Sequence, residues 1–267
     1  MKTEDNYIAL NKKAWNNKIP VHVASDFYDM PGFMAGKCTL KDIELKLLGN
    51  FANKKVLHLQ CHFGQDTISL ARLGANATGV DFSDAAIQKA QDIAAELDVP
   101  AQFICCDIYS LPEVLHEKFD VVFTSYGTIG WLPDLDRWAS VISHFLKPGG
   151  TFVIAEFHPV LWMFNNDFTA IIYRYFKSNA IIEDETGTYA NTNAPITNQT
   201  VSWNHSLTEV INSLIKQNLT IEMFNEYDYS PYNCFNGMAE FEPGKFRIAN
   251  LGDKIPMVYS IKAIKNS

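Results

Sequence analysis

From about residue 40 onward, short apolar runs alternate with stretches of helical hydrophobic spacing, and this alternation predicts the fold. Ile43, Leu47 and Leu48 form the inward stripe of a helix that Thr39 can cap and that runs to about Phe51. "KVLHLQ" follows as a short apolar strand, "DTISLARLG" as a helix stopped by Gly74, and "ATGVD" as a second strand. Ser83 stands ahead of Ile87, Ala90, Ala94 and Leu97, an N-cap before a helical stripe. "AQFICC" and "FDVVFTS" read as strands three and four. The fourth is unbroken and β-branched in its middle, as a strand covered on both faces is. A helix over "LDRWASVISHFL" closes at "KPGG", which turns the chain into a fifth strand, "TFVIAEF". Five strands alternating with helices within about 120 residues imply a doubly wound, Rossmann-like parallel sheet in an α/β domain.

After Glu156 the rhythm stops. From about 157 to 203 the residues are aromatic, amide-rich and irregular, as in "MFNNDFTAIIYRYF" and "NTNAPITNQT". Regular patterning resumes at "SLTE", a capping box of Ser206 and Glu209 ahead of Val210, Ile211, Leu214 and Ile215. "LTIEMFNEY" and "PMVYSIKAI" are the last two strands. No helix is expected between them, which predicts an antiparallel pair at the end of the sheet. The 157–203 stretch is therefore expected to be an insertion into a domain spanning 39–267, acting as a lid or a subunit contact. Residues 1–38 carry aromatics such as Trp15 but show neither strand nor helix rhythm.

Composition narrows the function classes. A hydrophobic share of 47% supports an ordinary core, and 22 Lys and Arg against 30 Asp and Glu give a net charge of −8. That balance, with no basic run, argues against nucleic acid or an anionic membrane as partner. The five cysteines include no CxxC pair, and the start of the chain lacks the apolar core of a signal peptide, so a reducing cytoplasm is expected.

The candidate chemistry lies in "VLHLQCHFGQD", Val56 to Asp66, because ligands of open α/β sheets bind beyond the carboxyl ends of the strands. A dinucleotide pyrophosphate needs bare backbone there, and Gln60 and His62 would crowd it. A metal would need more than His58, Cys61 and His62: His58 falls in a strand, His62 in the turn after it, and beyond the two histidines and Cys61 no further ligand is near. No metal is expected. S-adenosylmethionine has no phosphate, so its loop needs glycine less strictly. Asp81, about 20 residues beyond the loop, stands where an acid accepts from both ribose hydroxyls, with Phe82 placed to lie against adenine. Asp107 is placed to accept from the adenine amino group while Ile108 covers the ring. Strand-end aspartates also commonly cap the next helix, so it is the succession of three such loops that carries weight.

Those loops resemble the class I S-adenosylmethionine-dependent methyltransferases of the small-molecule type. The resemblance rests on "VLHLQCHFGQDTISLARLGA", "GVDFSDAAIQKA", "CDIYSLP", "FDVVFTSYGTIGWLPDL" and "LKPGGTFVIAEFHP", covering about Lys55 to Pro159, and on the later "HSLTEVINSLIKQNLTIE". The "HLQCHFGQD" form resembles a bacterial subgroup. The family implies a seven-stranded sheet with its last strand antiparallel, S-adenosyl-L-methionine as cofactor and S-adenosyl-L-homocysteine as product. Its first motif runs acid-x-Gly-x-Gly-x-Gly. Here His58 replaces the acid, Gln60 and His62 replace two glycines, and Gly64 survives. Gln60 or His62 is accordingly expected to bond the methionyl carboxylate or ammonium.

Methyl transfer from a sulfonium is an in-line displacement that depends mainly on orientation, with a general base useful when the acceptor carries a proton. The ends of strands four and five supply Tyr126 beside the cofactor, Thr128 and Trp131 facing the substrate, and Glu156 and His158. His158 is the preferred base, since imidazole titrates near neutrality; the alternative is that it braces the insertion. The resemblance also implies that residues 1–38 form a cap over the cofactor, with Tyr28 and Phe33 closing the pocket. The expected acceptor is a small molecule, taken by a monomer or homodimer. The rivals are an RNA or protein substrate, a non-catalytic cofactor-binding module and a nicotinamide oxidoreductase.

Overall fold

A computed structural model describes residues 6–266; the first five residues of the cap expected over 1–38, and Ser267, lie outside the described residues. Its centre is a seven-stranded sheet built from β1 (Lys55–Leu59), β2 (Asn76–Asp81), β3 (Gln102–Cys105), β4 (Phe119–Ser125), β5 (Leu146–Phe157), β8 (Leu219–Tyr227) and β11 (Val258–Lys265). The strand order is β3-β2-β1-β4-β5-β11-β8. The first five strands run parallel, and β11 lies antiparallel between β5 and β8. This is the sheet expected from the sequence, with its antiparallel strand at the predicted end. Strand order reverses between β1 and β4, so the loops leaving those two strands diverge and open a crevice.

Helices cover both faces. They are α3 (Asp42–Leu48), α4 (Gln65–Arg72), α5 (Asp84–Glu96), the single turn α6 (Leu111–Val114), α7 (Leu135–Phe145) and α8 (Leu207–Lys216). Ser83 caps α5 by accepting the Ala86 N–H at 3.1 Å, and Asp134 caps α7 through the Arg137 N–H at 3.0 Å. Ser206 likewise caps α8, while the Glu209 carboxylate turns toward His205 and Lys177 rather than completing the box. On one face, Trp138, Phe145 and Phe152 are fully buried with Leu57, Val122 and Ile154 of the strands. No helix among the described residues is long and apolar enough to cross a membrane.

Four features depart from expectation. Residues 6–38 are largely helical, with α1 (Tyr7–Val23) and the short α2 (Met30–Met34). The buried face of α1 is Asn11, Ala14, Lys18, Ile19 and His22, helical in spacing but mostly polar, so a hydrophobic period does not reveal it. Thr39 is not a cap: Lys41 is the N-cap of α3, and Thr39 Oγ1 donates instead to Asp66 at 2.5 Å. The 157–203 stretch contains an antiparallel hairpin, β6 (Ile181–Thr186) and β7 (Thr197–Ser202). A second hairpin, β9 (Met238–Glu242) and β10 (Lys245–Ile248), separates β8 from β11.

The cap and the insertion are bonded to each other. Asn11 donates to the Val201 carbonyl at 2.8 Å and accepts the Val201 N–H at 2.9 Å, completing the β7 backbone like a neighbouring strand. Asn17 bonds Asn198 at 2.8 Å, and the buried Lys18 ammonium meets Glu185 at 2.8 Å. The polar stripe of α1 is thus explained by what it covers.

Candidate functional site

A cavity of about 670 Å3 opens at the carboxyl ends of β1, β4 and β5, roofed by α1, the 27–41 segment and the β6–β7 hairpin. A smaller one of about 40 Å3 lies beyond β2 and β3 and is lined by Tyr7, Cys106, Asp107 and Ile108. Gln60, Asp81, Phe82 and Trp131 line both. The two spaces therefore meet at the strand-order reversal, with Asp81 between them.

The loop after β1 turns sharply. Gln60 and His62 hold φ of 54° and 53°, and Gly64 holds 80°. These are the three places where the resemblance puts glycine, so the left-handed backbone persists although two glycines are gone. Each non-glycine there costs roughly 1–2 kcal/mol. Among the described residues, the non-glycines at positive φ are Asp29, Gln60, His62, Tyr126 and Phe168, which all line the large cavity, and Asn53, Asp98 and Asn218, which line neither cavity. Asparagine, aspartate and, to a lesser degree, histidine tolerate this region; Gln, Tyr and Phe do so poorly. Strain of that kind, gathered on the wall of the large cavity, is characteristic of functional surfaces. Gly64 itself is required by packing: a Cβ there would stand 2.6 Å from the Phe103 ring and 2.8 Å from Ala90.

The loop is held from three sides. The Cys61 N–H donates to Val80 O at 2.9 Å, the His62 N–H to Asp81 Oδ2 at 2.9 Å, and Gln60 Nε2 to Thr128 O at 2.8 Å. Gln60 Oε1 is buried without a partner. His62 Nε2 meets His22 Nδ1 of α1 at 3.3 Å, tying the cap to the loop. Burial holds both imidazoles neutral, His22 down at about 3 and His62 well below its ordinary range. Asp81 Oδ1 also accepts the Ser83 N–H at 2.9 Å, and burial raises this carboxyl to about 6. Asp107 accepts the Tyr109 N–H at 2.9 Å and, with Ile108, faces the small cavity. His58 bonds Thr67 Oγ1 at 2.8 Å and stacks on Phe123, with burial lowering its imidazole to about 4.

Beyond β4, Tyr126, Thr128 and Trp131 line the large cavity, and a single carboxylate fixes their backbone. Glu156 accepts from the N–H groups of Gly127, Thr128 at 2.7 Å, Ile129 at 3.3 Å and Phe157 at 2.7 Å, and from Thr128 Oγ1 at 2.9 Å. Trp131 Nε1 donates to Gly127 O at 2.8 Å, and its ring stands 5.5 Å from that of Trp15. Tyr28 meets Tyr189 of the insertion through their hydroxyls, and Phe33 is buried on the same wall.

His158 is a correction. It lines neither cavity, is 3% exposed, and uses both ring nitrogens: Nδ1 accepts the Val160 N–H at 3.2 Å and Nε2 donates to Glu226 at 2.9 Å. It joins the end of β5 to β8 and braces the start of the insertion. The residues that pattern reading missed on the cavity wall are Trp15, Lys18, Asp66, Glu183, Glu185, Tyr189 and Tyr232. A helical period of polar residues in α1 and the alternation in "IIEDET" were the available signals.

Tyr126 Oη donates to the buried Glu44 at 2.9 Å, and Glu44 also accepts the Lys41 N–H at 2.6 Å. Burial, then the Asp66 charge, pushes Glu44 up from 4.5 to about 8. The folded state thus binds this proton more tightly than the unfolded one. Its contribution is full below about 4.5 and is lost as pH rises through about 8, with a slope approaching about 1.4 kcal/mol per pH unit. Glu44→Gln keeps the acceptor and removes the titration. Thermal melts of wild type and variant at pH 5 and pH 8 should therefore diverge, the wild type losing more of its midpoint at the higher pH; equal losses would contradict the assignment.

Comparison with known proteins agrees with this geometry. Residues 50–226 match a family described as "Methyltransferase domain". The chain is 32% identical over 116 residues to phosphoethanolamine N-methyltransferase 1 of Triticum aestivum, covering 42% of this chain and 23% of that one. It is 27% identical over 132 residues to a ubiquinone biosynthesis O-methyltransferase of Photorhabdus laumondii, covering 48% and 55%. Both matches span less than two thirds of the relatives' own length. Among solved structures, an S-adenosylmethionine dependent methyltransferase from Mesorhizobium loti superposes with a TM-score of 0.58 at 19% identity, over 87% of this chain and 100% of that one.

Proposed function

This chain belongs to the class I S-adenosylmethionine-dependent methyltransferases, and we propose that it moves a methyl group to an O, N or S atom of a small molecule. The observation that carries the reading is the junction of two cavities beside the strand-order reversal, with Asp81 at the end of the neighbouring β2 lining both. The small cavity takes adenine, with Asp107 accepting from its amino group and Ile108 and Phe82 against the ring. Asp81 accepts from the ribose hydroxyls. The orphaned Gln60 Oε1 fits the methionyl ammonium, a donor that needs one buried acceptor. When bound, S-adenosylmethionine supplies a methyl group on a sulfonium, already activated for attack.

The protein's own part is orientation and exclusion of water. Glu156 fixes the turn carrying Tyr126 to Trp131, and Thr128 O fixes Gln60 in turn, so acceptor wall and cofactor loop share one anchor. The 157–203 insertion acts as a lid: its hairpin lines the cavity and is bonded to α1, and the His22–His62 contact carries that roof to the cofactor loop. The surface favours a small acceptor over RNA, because the chain carries −8 and the cavity lies under a roof.

Calorimetric titration with S-adenosylmethionine and S-adenosylhomocysteine, followed by methyl-label transfer to small-molecule pools, total RNA and protein lysate, tests the reading. Binding of both nucleosides with label only in small molecules is expected. Absence of binding to either removes the enzyme reading, and label in RNA or protein removes the substrate class.

A further inference from the structure

Resting on the methyltransferase reading, we infer that the acceptor is an amine and that Asp66 is the group that receives it. Seven carboxyl groups and three lysines line the large cavity. Most of the carboxylates are already engaged. Asp29 pairs with Lys37 and Glu185 with Lys18. Glu156 is used by the turn after β4, Asp81 by the N–H groups of His62 and Ser83, Glu183 by Tyr173 and Asp184 by Gln199. Asp66 remains. One of its oxygens accepts from Thr39 at 2.5 Å, but the other has only Ser125 Oγ, at 3.5 Å, at the very end of β4. A carboxylate oxygen accepts two or more bonds, so this one faces the cavity with capacity to spare.

Its surroundings are those of a cation site. Tyr28, Tyr126 and Tyr232 line the same cavity as Asp66. Tyr126 and Tyr232 meet edge to face at 5.1 Å. Aromatic faces attract ammonium groups, the more so when water is excluded. The wall already holds one such group: the Lys41 ammonium lies 4.6 Å from the Tyr232 centroid and, among the described residues, forms no ion pair. A carboxylic acid or phosphate placed at Asp66 would meet like charge instead.

An acceptor ammonium would give one proton to the Asp66 carboxylate. The freed lone pair then forms the N–C bond as the C–S bond breaks, its electrons remaining on sulfur as a neutral thioether, and Asp66 passes the proton to bulk water. Trp131, Tyr126 and Ser125 bound the space in which this attack is aligned.

The test uses full-length protein saturated with S-adenosylhomocysteine, which has no methyl to give, and three matched probes: benzylamine, benzyl alcohol and benzoate, titrated at neutral pH. Benzylamine is expected to bind more tightly than the other two by about tenfold, the scale of one charge-assisted hydrogen bond. Asp66→Asn, isosteric and still able to accept from Thr39, is expected to abolish that preference while S-adenosylhomocysteine affinity stays as in wild type. Equal binding of the three probes, or preference for benzoate, overturns the inference without variants. Weakened S-adenosylhomocysteine binding in Asp66→Asn would put Asp66 on the methionyl ammonium and overturn it as well. If wild type fails to bind S-adenosylhomocysteine, the methyltransferase reading falls and takes this inference with it.

Discussion

Asp81→Ala should lower affinity for S-adenosylmethionine and S-adenosylhomocysteine by about a hundredfold or more, since two hydrogen bonds to a charged acceptor are each worth about 1.5–3 kcal/mol. The effect has a second source. Asp81 also accepts the N–H groups of His62 and Ser83, so alanine frees the cofactor loop and the start of α5 together. Asp81→Asn separates the two: one oxygen remains, and the amide nitrogen opposes whichever N–H it faces, so an intermediate loss is expected. Because burial holds this carboxyl at about 6, the ionised acceptor is depleted in the free protein as pH falls through that value. Nucleoside affinity should therefore weaken below pH 6 in wild type and show no such step in Asp81→Ala. Calorimetry across pH 5 to 8 reads both effects. A folded alanine variant that binds the nucleoside as wild type does would remove Asp81 from the cofactor.

The α/β core was legible because its strands are continuous apolar runs and its helices carry one apolar stripe. Val56, Leu57 and Leu59, or Val121 through Phe123, have no alternative to burial. The segments that escaped reading are those whose buried faces are polar. Asn11, Lys18 and His22 occupy the inward face of α1 because β7 offers Asn11 a carbonyl and an N–H, β6 offers Lys18 a carboxylate, and the loop after β1 offers His22 the His62 ring. β7 reads "TNQTVS", in which Asn198 and Thr200 are buried, so inside and outside are both polar there. Hydropathy carries no information where each side is satisfied by the other through hydrogen bonds formed after folding.

The cavity was legible along each strand end but not across them. Asp81 and Asp107 stand out because a strand and then a helix frame them, which local pattern reveals. Lys18 and Glu185 are 167 positions apart, and nothing local in either announces the other. The same limit applies to His158, whose reach to Glu226 depends on β11 and β8 joining the sheet beyond β5. Gln60 and His62 are a different case. Their departure from glycine was visible, yet only the backbone angles show that the turn was kept and the strain accepted. A turn retained at that cost, with one side chain leaving a buried acceptor unpaired, argues that the side chains themselves serve the ligand.

Glu156→Ala should be the most destabilising single change at the site. Its carboxylate accepts from four backbone N–H groups and one hydroxyl, at 1% exposure, and alanine leaves a gap that water reaches poorly. An unsatisfied buried donor costs about 1–3 kcal/mol, and partial relaxation of five still leaves a loss of about 3 kcal/mol or more. At about 2–4 °C per kcal/mol for a chain of this size, the thermal midpoint should drop by roughly 10 °C. Glu156→Gln keeps one oxygen but turns an NH2 toward donors, so its stability should fall between the two. Function should fail in a distinctive order. On the proposed reading the turn carries Tyr126 to Trp131 beside the acceptor, and the Gln60–Thr128 bond joins it to the loop after β1. Methyl transfer is therefore expected to drop by about a hundredfold or more in Glu156→Gln, since misplacement of about 1 Å has that effect on an oriented reaction, while nucleoside affinity changes far less. Urea melts, calorimetry and turnover on the same preparation decide it: an alanine variant as stable as wild type, or a glutamine variant that loses nucleoside binding before turnover, would show that Glu156 does not anchor the turn.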